Sequence, residues 1–256
     1  MKAGTAKKVL IGLGAFFLGS MLLMALAGDE GARRELPAQV AAWGTIAALI
    51  LAGWWFKVRP RRELHRDQAG RLGFTSAPGD PLGFLHRPFL FLRVPASVRE
   101  VDNTSWGTWR GMDVAVFDYW FARSSDPSRD DFEYHTCATA PIPLDWPGLA
   151  VFPERLGSRL ADAVGMRDVE LELEKFNRAF QVRTEDRRFA SAMLDPRMME
   201  WLLGLPTGSG CEIAGGSLLF HLPRRLDRDL EGVLEAMATF LDRVPPVIRS
   251  LYGSAR

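Results

Sequence analysis

The sequence predicts an α+β protein in which a transmembrane helical hairpin (residues 1–60) and a connector (61–87) precede a cytosolic domain (88–256) with a mostly antiparallel sheet and packed helices. Three observations predict it. Two uncharged apolar runs of spanning length stand at the N-terminus, strand-like segments dominate from Phe89 to Ile142, and helical spacing governs much of the chain from Phe189 to Val244.

The first span, residues 9–27, reads VLIGLGAFFLGSMLLMALA, which at the helical rise is roughly 28 Å and close to the hydrocarbon thickness. The second covers about 38–56. Pro37 suits its first turn, and Trp54 and Trp55 suit an interfacial belt. Lys57, Arg59, Arg61 and Arg62 follow at once and complete a membrane-interface group. Lys2, Lys7 and Lys8 precede the first span and Arg66 extends the second cluster, whereas Arg33 and Arg34 stand between the spans. This asymmetry places both termini in the cytoplasm of a multi-pass cell-membrane protein. Small residues at helical spacing, Ala15 and Gly19 on one span and Gly44, Ala48 and Ala52 on the other, suit close helix packing. A second reading of the N-terminus takes the lysines and Ala25-Leu26-Ala27 as a cleaved signal peptide.

Neither span carries an ionisable side chain, so the hairpin reads as an anchor and not as a proton or ion path. The net charge of +1 gives no field for a nucleic-acid partner. Residues 67–87, rich in Gly and Pro, read as a connector that ends near Pro88. Strands are then expected at FLFLRV, VREVDNTSW, MDVAVFDYWFA and DFEYHTCATAPI, and the alternation in DVELELEK, 168–175, predicts a half-buried strand with an acidic outer face.

Phe180 and Val182 continue in strand spacing, and helical spacing follows through Phe189, Met193 and Leu194. Asp195-Pro196 fits an N-cap and N1 for a helix burying Met199, Leu202 and Leu203. CEIAGGSLLFHL reads as a hairpin. LEGVLEAMATFLDRV reads as an amphipathic helix with Leu230, Val233, Leu234, Met237, Leu241 and Val244 inward, ended by Pro245-Pro246.

The pattern Gly107-x-Trp109-x-Gly111-x-x-Val114-x-Val116-Phe117-Asp118-Tyr119, with Phe176-Asn177-Arg178-x-Phe180-x-Val182 and Ser191-x-x-Leu194-x-Pro196-x-Met198, resembles a group of mainly actinobacterial two-span membrane proteins with a cytosolic domain of unknown function. The resemblance covers roughly residues 84–250 and implies a bacterial membrane origin, with no catalytic residue to carry over.

His135 and Cys137, two apart on an expected strand, are the nearest approach to a nucleophile and its base. His65, His86 and His221 are isolated, and Cys137 and Cys211 lack a C-x-x-C partner, so no metal, cofactor-binding or catalytic set is assigned and no cofactor is expected. Phosphate-binding loops and the serine-hydrolase elbow lack their signatures. The expected role is a non-enzymatic protein-interaction or scaffold module held at the lipid bilayer, its protein partner unidentified. The alternative is a membrane-tethered enzyme in which the fold gathers Asp118, His135 or Cys137 into a cleft.

Overall fold

The computed structural model describes residues 44–45, 59–122, 132–143, 146–157, 166–224 and 230–252. The chain divides into two compact units, Met1–Leu64 and His65–Arg256. In the first, the expected spans lie outside the described residues except for Gly44 and Thr45, which are helical. Among the described residues no helix is long and apolar enough to cross a membrane.

The second unit is built on one nine-stranded sheet, in the order β1-β2-β3-β4-β9-β8-β5-β7-β6. Every neighbouring pair is antiparallel. The strands are β1 Thr75–Ala77, β2 Val98–Trp109, β3 Met112–Ala122, β4 Phe132–Pro141, β5 Leu149–Pro153, β6 Arg167–Asp168, β7 Phe180–Thr184, β8 Gly210–Ala214 and β9 Ser217–Pro223. Two tight hairpins set much of the register. Arg110 and Gly111 turn β2 into β3 with φ of 50° and 77°, and Gly215 and Gly216 turn β8 into β9 with 55° and 69°. Positive φ at both central positions matches the twist of the flanking strands.

The helices are α1 Arg59–Arg71, α2 Glu154–Gly157, α3 Glu174–Ala179, α4 Arg187–Met193, α5 Pro196–Leu203, α6 Leu230–Asp242 and α7 Pro246–Tyr252. One face of the sheet presents Val114, Val116, Ala138, Leu149, Val151, Val182, Ile213, Leu218 and Phe220 to the helices. Two helices supply clear apolar stripes, α5 through Met198, Met199 and Leu202, and α6 through Leu230, Val233, Leu234, Met237 and Phe240. Leu203 and Leu241 are partly buried, less inward than expected. Side chains satisfy helix starts: Asp195 accepts from Met198 N at 2.8 Å, and the distant Gln68 amide oxygen accepts from Leu230 N at 3.2 Å. Asp186 caps α4 and also accepts from the Tyr252 hydroxyl at 3.0 Å, which ties α7 to α4.

The opposite face carries Ala115, Phe117, Tyr119, Phe121, Cys137, Ala150, Phe152 and Leu219. Among the described residues no regular helix of length covers it. Residues 84–94 do so as a strap with two short 3-10 turns, Phe84–His86 and Phe91–Arg93, that buries Phe84, Phe89, Phe91, Leu92 and Val94. Phe84 stacks on Phe117 with ring centroids 4.1 Å apart.

Three expectations require correction. FLFLRV is not a strand, because its residues bury almost consecutively and Leu90 and Phe91 give their N–H groups to a carboxylate from β8. The Gly- and Pro-rich stretch read as a connector is part of the second unit from His65 onward: Ala69, Phe74 and Phe84 lie in its two cores. DVELELEK pairs only at its start. Val169 is buried as the alternation requires, but the Asn177 side chain takes both backbone groups of Leu171, at 3.0 and 2.7 Å, and so removes the bonds a strand would use.

Candidate functional site

Alternation along β4, β8 and β9 sends His135, Cys137, Glu212 and His221 to the strap side of the sheet. Glu212 is 1% exposed, and its two carboxylate oxygens accept from Leu90 N at 2.6 Å and Phe91 N at 3.0 Å. Burial pushes its pKa up to about 7, against the opposing pull of those two N–H groups and of Arg93. Beside it Phe91 stacks on His221, with centroids 3.7 Å apart and ring planes 4° from parallel. His135 meets both rings edge-on, at 5.0 Å from Phe91 and 5.3 Å from His221. Burial, reinforced by His135, drives the His221 pKa well below the usual imidazole value, so the ring is neutral. Gly210 stands opposite His221 because a Cβ there would fall 2.5 Å from the Val151 carbonyl and 2.6 Å from His221 Nε2.

This arrangement clamps the strap to the sheet. It does not activate a nucleophile: burial raises the Cys137 thiol well above its ordinary value, with Asp118 adding to the effect, and burial raises Cys211 likewise. The thiolate is the reactive form. His135 does share a face with Cys137, as strand spacing requires, but its Nε2 lies 3.7 Å from the Glu133 carboxylate.

Asp118 points to the other side of the sheet. There it is fully buried, accepts from Asn103 Nδ2 at 2.8 Å and Thr136 Oγ1 at 3.1 Å, and stands 3.7 Å from Arg224. A bulge in β2 makes the first of these bonds, since Asn103 takes φ of 50° where the register shifts between Asp102 and Ser105. The sheet therefore separates Asp118 from His135 and Cys137. Of the remaining histidines, His65 Nε2 lies 2.7 Å from Ser105 Oγ in a buried bond, and His86 is exposed. Among the described residues no group of three His, Cys, Asp or Glu side chains suits a metal ion.

A surface cleft of about 390 Å³ lies between α5, α6 and α7, lined by Asp195, Arg197, Asp242, Arg243 and Arg249 with Val244, Pro245 and Pro246. Its charges are mixed. Asp195 caps α5, Arg243 lies over Trp201 at 5.8 Å, and Arg249 donates to the Leu241 carbonyl at 3.2 Å. None of Asp118, His135 or Cys137 reaches it.

Trp54, Trp55, Lys57, Ala15, Gly19, Ala48 and Ala52 lie outside the described residues. Gly44 is helical, and Arg59, Arg61 and Arg62 fall in the first turn of α1, where Arg61 is buried. The sequence reading missed an exposed aromatic group at one end of the sheet. Trp120, Phe132 and Tyr134 lie within 6.3 Å of one another by ring centroid, and Arg224 covers the Tyr134 ring at 4.3 Å. The alternation of β3 and β4 was visible, but that these rungs extend past the helices was not.

No family model and no curated protein matches the sequence. Among solved structures the fold is similar to the crystal structure of the mycobacterial trehalose monomycolate transport factor A, TtfA, with a TM-score of 0.50 and 14% identity over 73% of this chain and 97% of that one.

Proposed function

We propose that this chain is a non-enzymatic accessory protein of the cell membrane, anchored by its N-terminal hairpin with both termini in the cytoplasm, whose folded domain binds a protein partner. The observation that carries this reading is the division of its reactive side chains. Asp118 serves a bonded network on one face of the sheet, while Glu212, His135, His221 and Cys137 hold a strap on the other. The tethered-enzyme reading needs two such groups within reach of one another in a cleft; the groups that do meet, on the strap side, are buried, and none of them lines the surface cleft.

The similarity of fold to a transport factor supports an accessory role in a transport process at the membrane. The two-span organisation and the motifs at Gly107–Tyr119 and Phe176–Val182 support grouping the chain with actinobacterial membrane proteins. The test is purification of the tagged full chain from detergent-solubilised native membranes after mild crosslinking. A stoichiometric, reproducible protein partner is expected; a chain recovered alone and monomeric across several detergents would overturn the proposal.

A further inference from the structure

We propose that the cleft between α5, α6 and α7 is a binding site for a small phosphate monoester whose body carries a hydroxyl or ammonium group. At about 390 Å³ the cleft has the size of a small-molecule site, and three of its eight lining residues are arginines. They come from three segments: Arg197 stands in the first turn of α5, Arg243 directly follows α6, and Arg249 lies on α7. Asp195 and Asp242 line the same cleft, yet among the described residues no ion pair joins any of the three arginines to either carboxylate. The site lies wholly within the second unit, and it goes beyond the protein-partner reading above without resting on it.

Two of the guanidiniums are positioned by groups that leave their charge uncompensated. Arg249 donates to the Leu241 carbonyl at 3.2 Å, an oxygen that also accepts from Val244 N at 3.3 Å, and so closes the C-terminal end of α6. Arg243 lies over the Trp201 ring at 5.8 Å. Arg197 is exposed and its guanidinium makes no bond to another described residue. Asp195, by contrast, is committed to the Met198 N–H at 2.8 Å as the cap of α5, which leaves Asp242 as the carboxylate available to a ligand. A guanidinium is a rigid fork of donors that matches carboxylate and phosphate oxygens in pairs, and three forks exceed what the two oxygens of a carboxylate accept. A phosphate monoester offers three strongly accepting oxygens and close to two negative charges at neutral pH. Asp242 repels a bare anion and favours one with a donor on its body, while Pro245 and Pro246 give that body an apolar wall.

The test is isothermal titration calorimetry of the detergent-solubilised full chain with phosphoethanolamine, glycerol phosphate, inorganic phosphate and succinate. At least one of the two esters should bind saturably at millimolar concentration or below, tighter than inorganic phosphate and tighter than succinate. Arg197→Gln, which removes no bond within the described chain, should weaken the better ester about tenfold or more and leave the thermal unfolding midpoint in place. Asp242→Asn should weaken that ester severalfold and leave inorganic phosphate bound as before or more tightly. No saturable heat from either ester, or binding that both Arg197→Gln and Arg243→Gln leave unchanged, would overturn the site. Succinate binding as tightly as the esters would overturn the phosphate assignment, and an equal loss of ester and inorganic phosphate in Asp242→Asn would overturn the role given to Asp242.

Discussion

One face of the sheet is covered by helices whose apolar residues recur every three or four positions, whereas the other is covered by a strap, Phe84 to Val94, with no repeat and little backbone pairing of its own. The helical face is held by burial and end caps. The strap is held by burial together with one acidic side chain, Glu212, that substitutes for the missing backbone partners of Leu90 and Phe91. A buried backbone N–H requires an acceptor wherever it lies, and where no strand or helix supplies one a side chain must.

The largest effect separates the two faces by where stability is lost. Phe91→Ala and Phe240→Ala each remove a fully buried ring and should each cost about 3–5 kcal/mol in denaturant unfolding of the detergent-solubilised chain. Hydrogen exchange then tells them apart: Phe91→Ala should speed exchange of the Leu90 and Phe91 amides more than the global loss explains, while Phe240→Ala should leave the strap's relative protection unchanged.

Glu212→Gln probes the clamp and has a definite sign with pH. The carboxyl is raised from 4.5 to about 7 in the folded state, so its contribution is fully present below pH 4.5 and is lost as pH rises toward 7. An amide offers one acceptor to two N–H groups, which should cost about 1–3 kcal/mol at low pH. Relative to that starting gap, the wild type should lose on the order of 3 kcal/mol between pH 4.5 and 7. His221, depressed by burial, acts oppositely as pH falls, but it is common to both chains and cancels in the difference. Parallel stability curves would refute the burial account of Glu212.

On the helical face the corresponding polar hold is Asp186, whose carboxyl is lowered chiefly by the Phe189 N–H it caps. Asp186→Ala should cost about 1 kcal/mol, and Tyr252→Phe should cost less, because Asp186 keeps its two backbone donors. The capping contribution should be fully present above the ordinary aspartate range and fade as pH falls below it, opposite in sign to Glu212.

The same contrast explains what was legible beforehand. Asp195-Pro196 and the Leu230–Met237 stripe announced α5 and α6 because capping and the 3.6-residue repeat are local properties, and the Gly215-Gly216 pair announced the β8–β9 hairpin. FLFLRV has a strand's composition and the stretch before it a connector's, and nothing local marks the strap, because its partner Glu212 lies more than 120 residues away. DVELELEK misled for a related reason: its alternation was real, but Asn177 intercepted the Leu171 backbone. Of the candidate chemistry, the shared face of His135 and Cys137 followed from spacing alone. The opposite placement of Asp118, three dimensions away from any motif, did not.

The anchored, cytoplasm-facing arrangement is tested most directly by thiol accessibility in intact cells. Cysteine introduced at Gly31 between the spans and at Ser254 near the C-terminus is treated with a membrane-impermeant reagent, with buried Cys137 and Cys211 as internal controls. The charge asymmetry around the spans predicts modification at 31 and protection at 254 until the membrane is permeabilised. Modification at 254 in intact cells would contradict it.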